Sequence, residues 1–323
     1  MIVTLTPNPS VDWTLEVPTL TRGRVHRITE QRQEPSGKGV NVTRALVANG
    51  VPSLAVLPIG GSEGAKLTSL LREENVGFLP VSIQGAVRVN ISLTEPDGTS
   101  TKVNASGPTL TLVEVEQLVA TVREAIDGAD WVVGSGSLPQ GVGAGFYADI
   151  GECVHEAGTR FALDSSGAAL IKGLATKPNV IKPNVEELGE AAQQPIRTIG
   201  DAVSAAQELM RRGAVSVLVS LGPDGALLVS ATELAHAEAR ISAPRSTVGA
   251  GDALLAGFLA AGGDGVTALR EAVAWGAAAV SLEGSRVPPV NDGNRDAVQV
   301  HSHVDLDRAL CQPSAPGRPA TAR

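Results

Sequence analysis

The chain has 323 residues, 43% of them hydrophobic, and carries 34 acidic against 26 basic side chains, a formal net charge of −8. This length suits one large α/β domain with an appendage, or two domains. The acidic balance argues against general binding to nucleic acid or to an anionic membrane. Aromatic residues make up only 2%, so the core is aliphatic and no base-stacking platform for single strands is expected.

No run of about eighteen apolar residues offers a membrane span, and the first residues lack the basic region of a signal peptide. Cys153 and Cys311 fit no redox or metal pattern and read as free thiols of a reducing cytoplasm. In chain order, residues 2–6 predict a strand, and the polar alternating stretches 11–17 and 22–30 predict strands outside the main sheet. A helix over 39–49 ends at Gly50. A strand over 54–59, a helix over 64–74, and two runs at 87–95 and 100–104 flanking the turn signal Pro96-Asp97-Gly98 follow. Beyond them lie strands at 131–134, 161–163, 180–181 and 215–221, separated by helices at 113–126, 144–157 and 201–212. Strand–helix alternation argues for a mostly parallel sheet covered on both faces, with its site at the carboxyl ends of the strands. The kinds of residue in 312–323 predict a disordered tail, which leaves 1–311 as the folded domain.

Five motifs and two further residues carry the candidate chemistry. Thr247-Val248-Gly249-Ala250-Gly251-Asp252 precedes an apolar helix, so its glycines open a helix N-terminus to an anion. A carboxylate beside that anion hole is a poor phosphate ligand. It makes sense as a base that takes the proton of a hydroxyl attacking a phosphoryl group; the plainer alternative is a first-turn helix stabiliser. The helix N-terminus also predicts a low pKa for Asp252. Pro35-Ser36-Gly37-Lys38-Gly39-Val40-Asn41-Val42 opens the first large helix with a second anion-friendly turn, and Asn41 can pair with sugar hydroxyls. It lacks the spacing of a Walker A loop. Gly134-Ser135-Gly136-Ser137-Leu138-Pro139 has Pro139 where a dinucleotide fingerprint needs glycine, and reads better as a polar loop over a sugar. Lys182-Pro183-Asn184 with Glu187 places two side chains on one side of a first helical turn, either for a hydrated Mg²⁺ or as a capping box. Ser220-Leu221-Gly222-Pro223-Asp224-Gly225 is either a nucleotide turn or a plain hairpin. Asp12 follows the first strand, where it can grip sugar hydroxyls, and Arg88 can hold a phosphate bidentately.

Taken in order, Thr6–Asp12, Gly37–Val42, Gly134–Pro139, Lys182–Glu187 and Ser246–Asp252 resemble the PfkB branch of the ribokinase-like sugar kinases, along nearly all of the chain short of the tail. The resemblance implies an α/β fold: a ribokinase-like doubly wound, mostly parallel sheet with helices on both faces and a small β-sheet lid, from about 11–34 and 86–105. It implies ATP with Mg²⁺ as donor, Asp252 as catalytic base, and Gly249, Ala250 and Gly251 as the anion hole. Lys182, Asn184, Glu187, Ser220, Gly222, Gly225, Thr247 and Gly251 fall on the nucleotide side, with Glu187 reaching Mg²⁺ through water. Asp12, Gly37, Lys38, Asn41, Arg88, Ser137 and Asp252 fall on the sugar-phosphate side. Ser246, Val248, Ala279 and Gly284 match carbonyls around a monovalent cation, K⁺. A homodimer through the lid is implied.

The segment from Arg88 to Gly98 looks like the fructose-1-phosphate kinases, whereas Glu283-Gly284-Ser285-Arg286 looks more like the minor 6-phosphofructokinases, and Pro35-Ser36 departs from the pair usual before Gly37. Fructose 1-phosphate is the favoured acceptor, with fructose 6-phosphate and tagatose 6-phosphate behind it. Two readings of other classes stay open: an NAD-dependent dehydrogenase, and a sugar-phosphate-binding regulator without catalysis.

Overall fold

A computed structural model describes residues 1–241, 244–301 and 303–311; the tail expected at 312–323 lies outside them. In chain order the elements begin with strands Ile2–Leu5 (β1), Ser10–Glu16 (β2) and Gln31–Ser36 (β3), helix Lys38–Ala48 (α1), strand Ser53–Ile59 (β4) and helix Gly61–Glu73 (α2). Strands Gly77–Ser82 (β5), Arg88–Thr94 (β6) and Ser100–Asn104 (β7) lead to helix Leu112–Ala125 (α3), strand Trp131–Ser135 (β8), helix Phe146–Glu156 (α4), strand Arg160–Asp164 (β9) and helix Gly167–Gly173 (α5). Then come Val180–Ile181 (β10), helices Val185–Ala192 (α6) and Ile199–Arg211 (α7), and strands Ser216–Ser220 (β11), Ala226–Ser230 (β12) and Leu234–Ala239 (β13). Helices Ala250–Ala260 (α8), Gly265–Val280 (α9) and Asp292–Asp296 (α10) and strand Val298–His301 (β14) complete the described chain.

The main sheet runs β14-β13-β12-β11-β10-β9-β8-β1-β4-β5. From β11 to β5 every pairing is parallel, and β12, β13 and β14 add an antiparallel edge. β1 and β8 are buried along their whole lengths, as strands covered on both faces must be. One face packs on α3, α4, α6 and α7 through residues such as Leu118, Ile150, Leu188 and Leu209. The other packs on α1, α8 and α9 through Leu46, Phe258 and Leu269. Strand order reverses between β1 and β8, since β4 and β5 lie on one side of β1 and β8 to β11 on the other. That switch point opens a crevice at the carboxyl ends, where ligands of such sheets bind.

A second sheet of four strands, β3-β2-β6-β7, stands apart. The strand expected at 22–30 is absent; the partner of β2 is β3, with Asp12 opposite Glu34 and Ser10 opposite Ser36. Gly23 has a φ of 78°, which breaks extension there, and the polar segment Gln31–Ser36 becomes a strand because β2 completes its hydrogen bonds. β3 then runs straight into α1 at Gly37, whose φ is 125° and whose Cβ would stand 2.7 Å from Thr6 Cγ2 and 3.1 Å from Pro9 Cα. Only glycine fits that turn, and it fixes Lys38 and Asn41 beside the switch point.

Candidate active site

The α8 helix begins at Gly249, with φ 75° and no side-chain cap. Ala250 N–H turns back to Thr247 O at 3.4 Å, while the N–H groups of Gly251 and Asp252 find no acceptor among the described residues. The positive end of the helix is therefore available to an anion. A Cβ on Gly251 would stand 3.3 Å from Lys182 Nζ, so the lysine lies against this turn. Asp252 is 8% exposed and accepts a hydrogen bond from Asn41 Nδ2 at 2.8 Å.

Beside it lies a buried charge array. Asp164, at the end of β9 and fully buried, accepts from Lys38 Nζ at 2.9 Å and lies 3.4 Å from Lys182 Nζ. Lys38 also donates to Glu187 Oε1 at 3.0 Å. Burial opposes ionisation of Asp164, yet Lys182 and Lys38 hold it below the usual carboxylate range. Burial likewise works against the charge on Lys38, but Asp164, Glu187 and Asp252 raise it above the usual lysine value. Burial, reinforced by the charge of Asp164, pushes the Asp252 carboxyl up to about 6. The low pKa expected from the helix N-terminus is thus overturned: desolvation and a neighbouring carboxylate outweigh the helix end and the two lysines. A base poised near 6 is still mainly ionised at neutral pH.

Asn184 caps α6, accepting from Glu187 N–H at 2.8 Å while Glu187 Oε2 accepts from Asn184 N–H at 3.0 Å. The capping box is formed, and the other carboxylate oxygen of Glu187 reaches Lys38. Ser220 adjoins this cap, its N–H donating to Pro183 O at 3.0 Å. Gly222 has φ +63° and open space at its Cβ position, whereas Gly225 has no room because the β13 backbone at Ala237 closes on it. The turn thus has one open side, at Gly222.

On the side of the second sheet, Asp12 accepts from Ser10 Oγ at 2.7 Å and from Asn90 Nδ2 at 3.0 Å. The terminal nitrogens of Arg88 donate to Asn8 O and Ala105 O at 3.0 Å each, leaving its buried Nε without a partner. Asn8 Nδ2 reaches Ser106 O at 3.0 Å and Ser137 Oγ at 3.4 Å, which brings the β8 loop to the same place. Buried Oδ1 atoms of Asn8, Asn41 and Asn90 are also unpartnered among the described residues. In a third corner, Ser246 N–H donates to Val280 O at 3.3 Å and Val248 N–H to Ser246 Oγ at 3.2 Å, while Ala279 O accepts from Leu282 N–H at 3.1 Å. Gly284, with φ +75°, has no room for a Cβ, which would strike the Glu34 carboxylate.

Sequence reading missed Asp164, Asn90 and Glu34. The position of Asp164 at the carboxyl end of a buried strand was the available signal. For Asn90, the signal was its place two residues after Arg88, on the same face of an alternating strand. Nothing local marks Glu34.

Residues 8–291 match the pfkB family of carbohydrate kinases. The chain is 36% identical over 260 residues to 1-phosphofructokinase of Bacillus subtilis, spanning 80% of this chain and 85% of that protein. It is 34% identical over 307 residues to ATP-dependent 6-phosphofructokinase isozyme 2 of Mycobacterium tuberculosis, spanning 92% and 88%. Two solved structures of phosphofructokinase-2 from Escherichia coli, one in complex with potassium and one of its tetrameric inhibited form, give TM-scores of 0.85 and 0.84 at 33% identity. Each covers 92% of this chain and 97% of its own. The dinucleotide reading of Gly134–Pro139 falls with these findings. The chain belongs to the pfkB family of carbohydrate kinases, a phosphotransferase on a ribokinase-like fold.

Proposed function

We propose that the protein transfers the γ-phosphoryl group of ATP to a ketohexose phosphate, with fructose 1-phosphate as acceptor and fructose 1,6-bisphosphate as product. The observation that carries this reading is Asp252: a nearly buried carboxylate held by Asn41 at 2.8 Å, next to the unpaired N–H groups that open α8. Asp252 takes the proton of the acceptor hydroxyl as the new O–P bond forms and the bond to the departing ADP breaks. Gly249, Ala250 and Gly251 present the helix end to the charge on the transferred group, and Lys38 and Lys182 stand beside it. Asp12, Asn41 and Asn90 hold hydroxyls, and Arg88 faces the phosphate. Ser220 to Gly225, with Lys182, Asn184 and Thr247, face the nucleotide.

No group of three or more His, Cys, Asp or Glu side chains gathers as a metal cage among the described residues. That fits Mg²⁺ arriving on the ATP phosphates, with Glu187 reaching it through water. Bound so, Mg²⁺ offsets phosphate charge. The carbonyls of Ser246, Val248, Ala279 and Gly284, with Glu34 close by, suit a weakly hydrated monovalent cation such as K⁺. No helix of the described residues is long and apolar enough to cross a membrane, and the reading places the enzyme with its ATP in the cytoplasm.

The higher identity to a 1-phosphofructokinase and the Arg88–Gly98 segment favour fructose 1-phosphate. Fructose 6-phosphate is the second reading. It is favoured by the Glu283–Arg286 loop, where Arg32 lies 3.4 Å from Glu283 and Arg286 lies 3.7 Å from Glu34. Phosphorus NMR of each reaction mixture tests the choice. Rapid formation of a bisphosphate from fructose 1-phosphate supports the reading, and conversion of fructose 6-phosphate or tagatose 6-phosphate alone overturns it.

The lid also supports a homodimer. Strand alternation puts Ser10, Asp12, Asn90 and Glu34 on its cleft face, and Trp13, Leu15, Val89, Ile91, Leu93 and Val103 on the other. Those apolar residues are half-buried or, for Val103, exposed, and a second copy of the same face covers them. Ile91→Asp is expected to convert a dimer to a monomer in light scattering. A wild-type monomer, or an unchanged dimer in the variant, speaks against the lid as the interface.

A further inference from the structure

Behind the Ser220–Gly225 turn lies a cluster that the transfer step does not use. Asp224, within the turn, is 3% exposed. Arg308 NH2 donates to Asp224 Oδ1 at 3.0 Å and to Glu238 Oε2 at 2.7 Å, and Cys311 N–H donates to Asp224 Oδ2 at 2.7 Å. His236 Nε2 lies 2.7 Å from the carbonyl of Asp224. Its ring stacks on His301 with centroids 4.9 Å apart, and His301 Nε2 pairs with Glu238 Oε1 at 2.9 Å. Burial, foremost, pulls His236 below its usual pKa, so the ring is neutral at neutral pH and its Nε2–H, assigned from this contact, is the donor.

The segment that carries Arg308 is anchored in turn. Ile199 N–H donates to Arg308 O at 3.0 Å and Leu310 N–H to Arg197 O at 2.8 Å, which ties it to the start of α7. The turn is therefore open at Gly222, where nothing stands within 4 Å of a Cβ position, and braced at Asp224 by a segment some 84 residues later.

We infer that Arg308, acting through Asp224, is a positioning residue for ATP, holding the nucleotide-facing turn in its binding shape and so setting nucleotide affinity rather than the rate of transfer. The inference rests on the reading of Ser220–Gly225 as the nucleotide turn. Without Arg308, the Asp224 carboxylate keeps, among the described residues, only the Cys311 N–H and a weak thiol contact. A buried carboxylate short of donors draws in water, and the short turn that carries it has to move. Asp252, Asn41 and the Asp12 cluster lie on other elements and are untouched.

The test is steady-state kinetics of the full-length enzyme with Arg308→Gln and Arg308→Lys, joined to hydrogen exchange of the wild type with and without ATP. The expected result is a KM for ATP raised about fivefold or more in Arg308→Gln, with kcat at saturating ATP and KM for the sugar phosphate within about twofold of wild type. Arg308→Lys, which keeps the charge, recovers part of the loss and serves alone if the Gln variant does not fold. A lowered melting temperature with an unchanged KM for ATP in both variants makes the brace merely structural and overturns the inference. ATP that fails to protect the Gly222–Gly225 amides in the wild type shows instead that the nucleotide-turn reading itself is wrong, and the inference falls with it.

Discussion

Asp252→Asn is expected to lower kcat by about 10²–10⁴-fold and, at the same time, to raise the melting temperature. The first effect follows from loss of the base that takes the hydroxyl proton. The second follows from the pKa of about 6 in the folded enzyme, above the ordinary aspartate value that holds when the chain is unfolded. A carboxyl whose folded pKa is raised favours the folded state only while protonated. Its contribution to stability declines as pH rises from about 4 to about 6 and then stays at its worst, a cost of order 3 kcal/mol. Asparagine cannot ionise and can still accept from Asn41 Nδ2. The stability gain should be full at pH 7.5 and vanish near pH 4, as read from thermal unfolding at the two values. A variant no more stable than wild type at pH 7.5 contradicts the burial argument; one with near-native turnover removes Asp252 from its role. In the wild type, kcat/KM should fall about tenfold per pH unit below about 6, as the base of the free enzyme is protonated.

The second large effect concerns Asp164. It neutralises Lys38 and Lys182 from a fully buried position, so Asp164→Ala leaves the buried Lys182 without its carboxylate, while Lys38 keeps Glu187, and is expected to destabilise the fold by about 3 kcal/mol, measured by urea unfolding. The isosteric Asp164→Asn separates structure from electrostatics. After burial, the charge of Asp164 is what raises the Asp252 pKa. Removing its charge leaves both lysines acting on Asp252, and the acid limb of the kcat/KM profile should move to lower pH. An acid limb that stays in place means that burial alone sets the Asp252 pKa.

How much of this was legible in the sequence depends on how local the causes are. β1, β8 and β9 could be read as strands because burial on both faces makes short apolar runs. β3 could not, since Gln31–Ser36 is polar and contains Pro35; it is a strand only because β2 lies beside it. The β11–β12 hairpin was signalled by the Gly222–Gly225 turn, whereas β13 and β14, mixed in polarity, carry no local mark. In the site, Gly249–Asp252 was readable because a glycine turn, a helix start and a carboxylate all fall within a few residues. Asp164 draws its meaning from Lys38, 126 residues away, and no spacing shows that. Asn184 and Glu187 read either as a cap or as a pair for hydrated Mg²⁺; the cap is formed, and the other Glu187 oxygen goes to Lys38, a partner that no local spacing shows.

The most direct test of the account is kcat/KM by ADP release with MgATP for fructose 1-phosphate, fructose 6-phosphate and tagatose 6-phosphate, run beside Asp252→Asn. The account predicts rapid turnover with a marked preference for fructose 1-phosphate, and loss of that turnover in the variant. Preference for a 6-phosphate would overturn the acceptor while leaving the chemistry in place. Equal turnover by wild type and Asp252→Asn on the best acceptor would contradict the central claim that this buried carboxylate is the base.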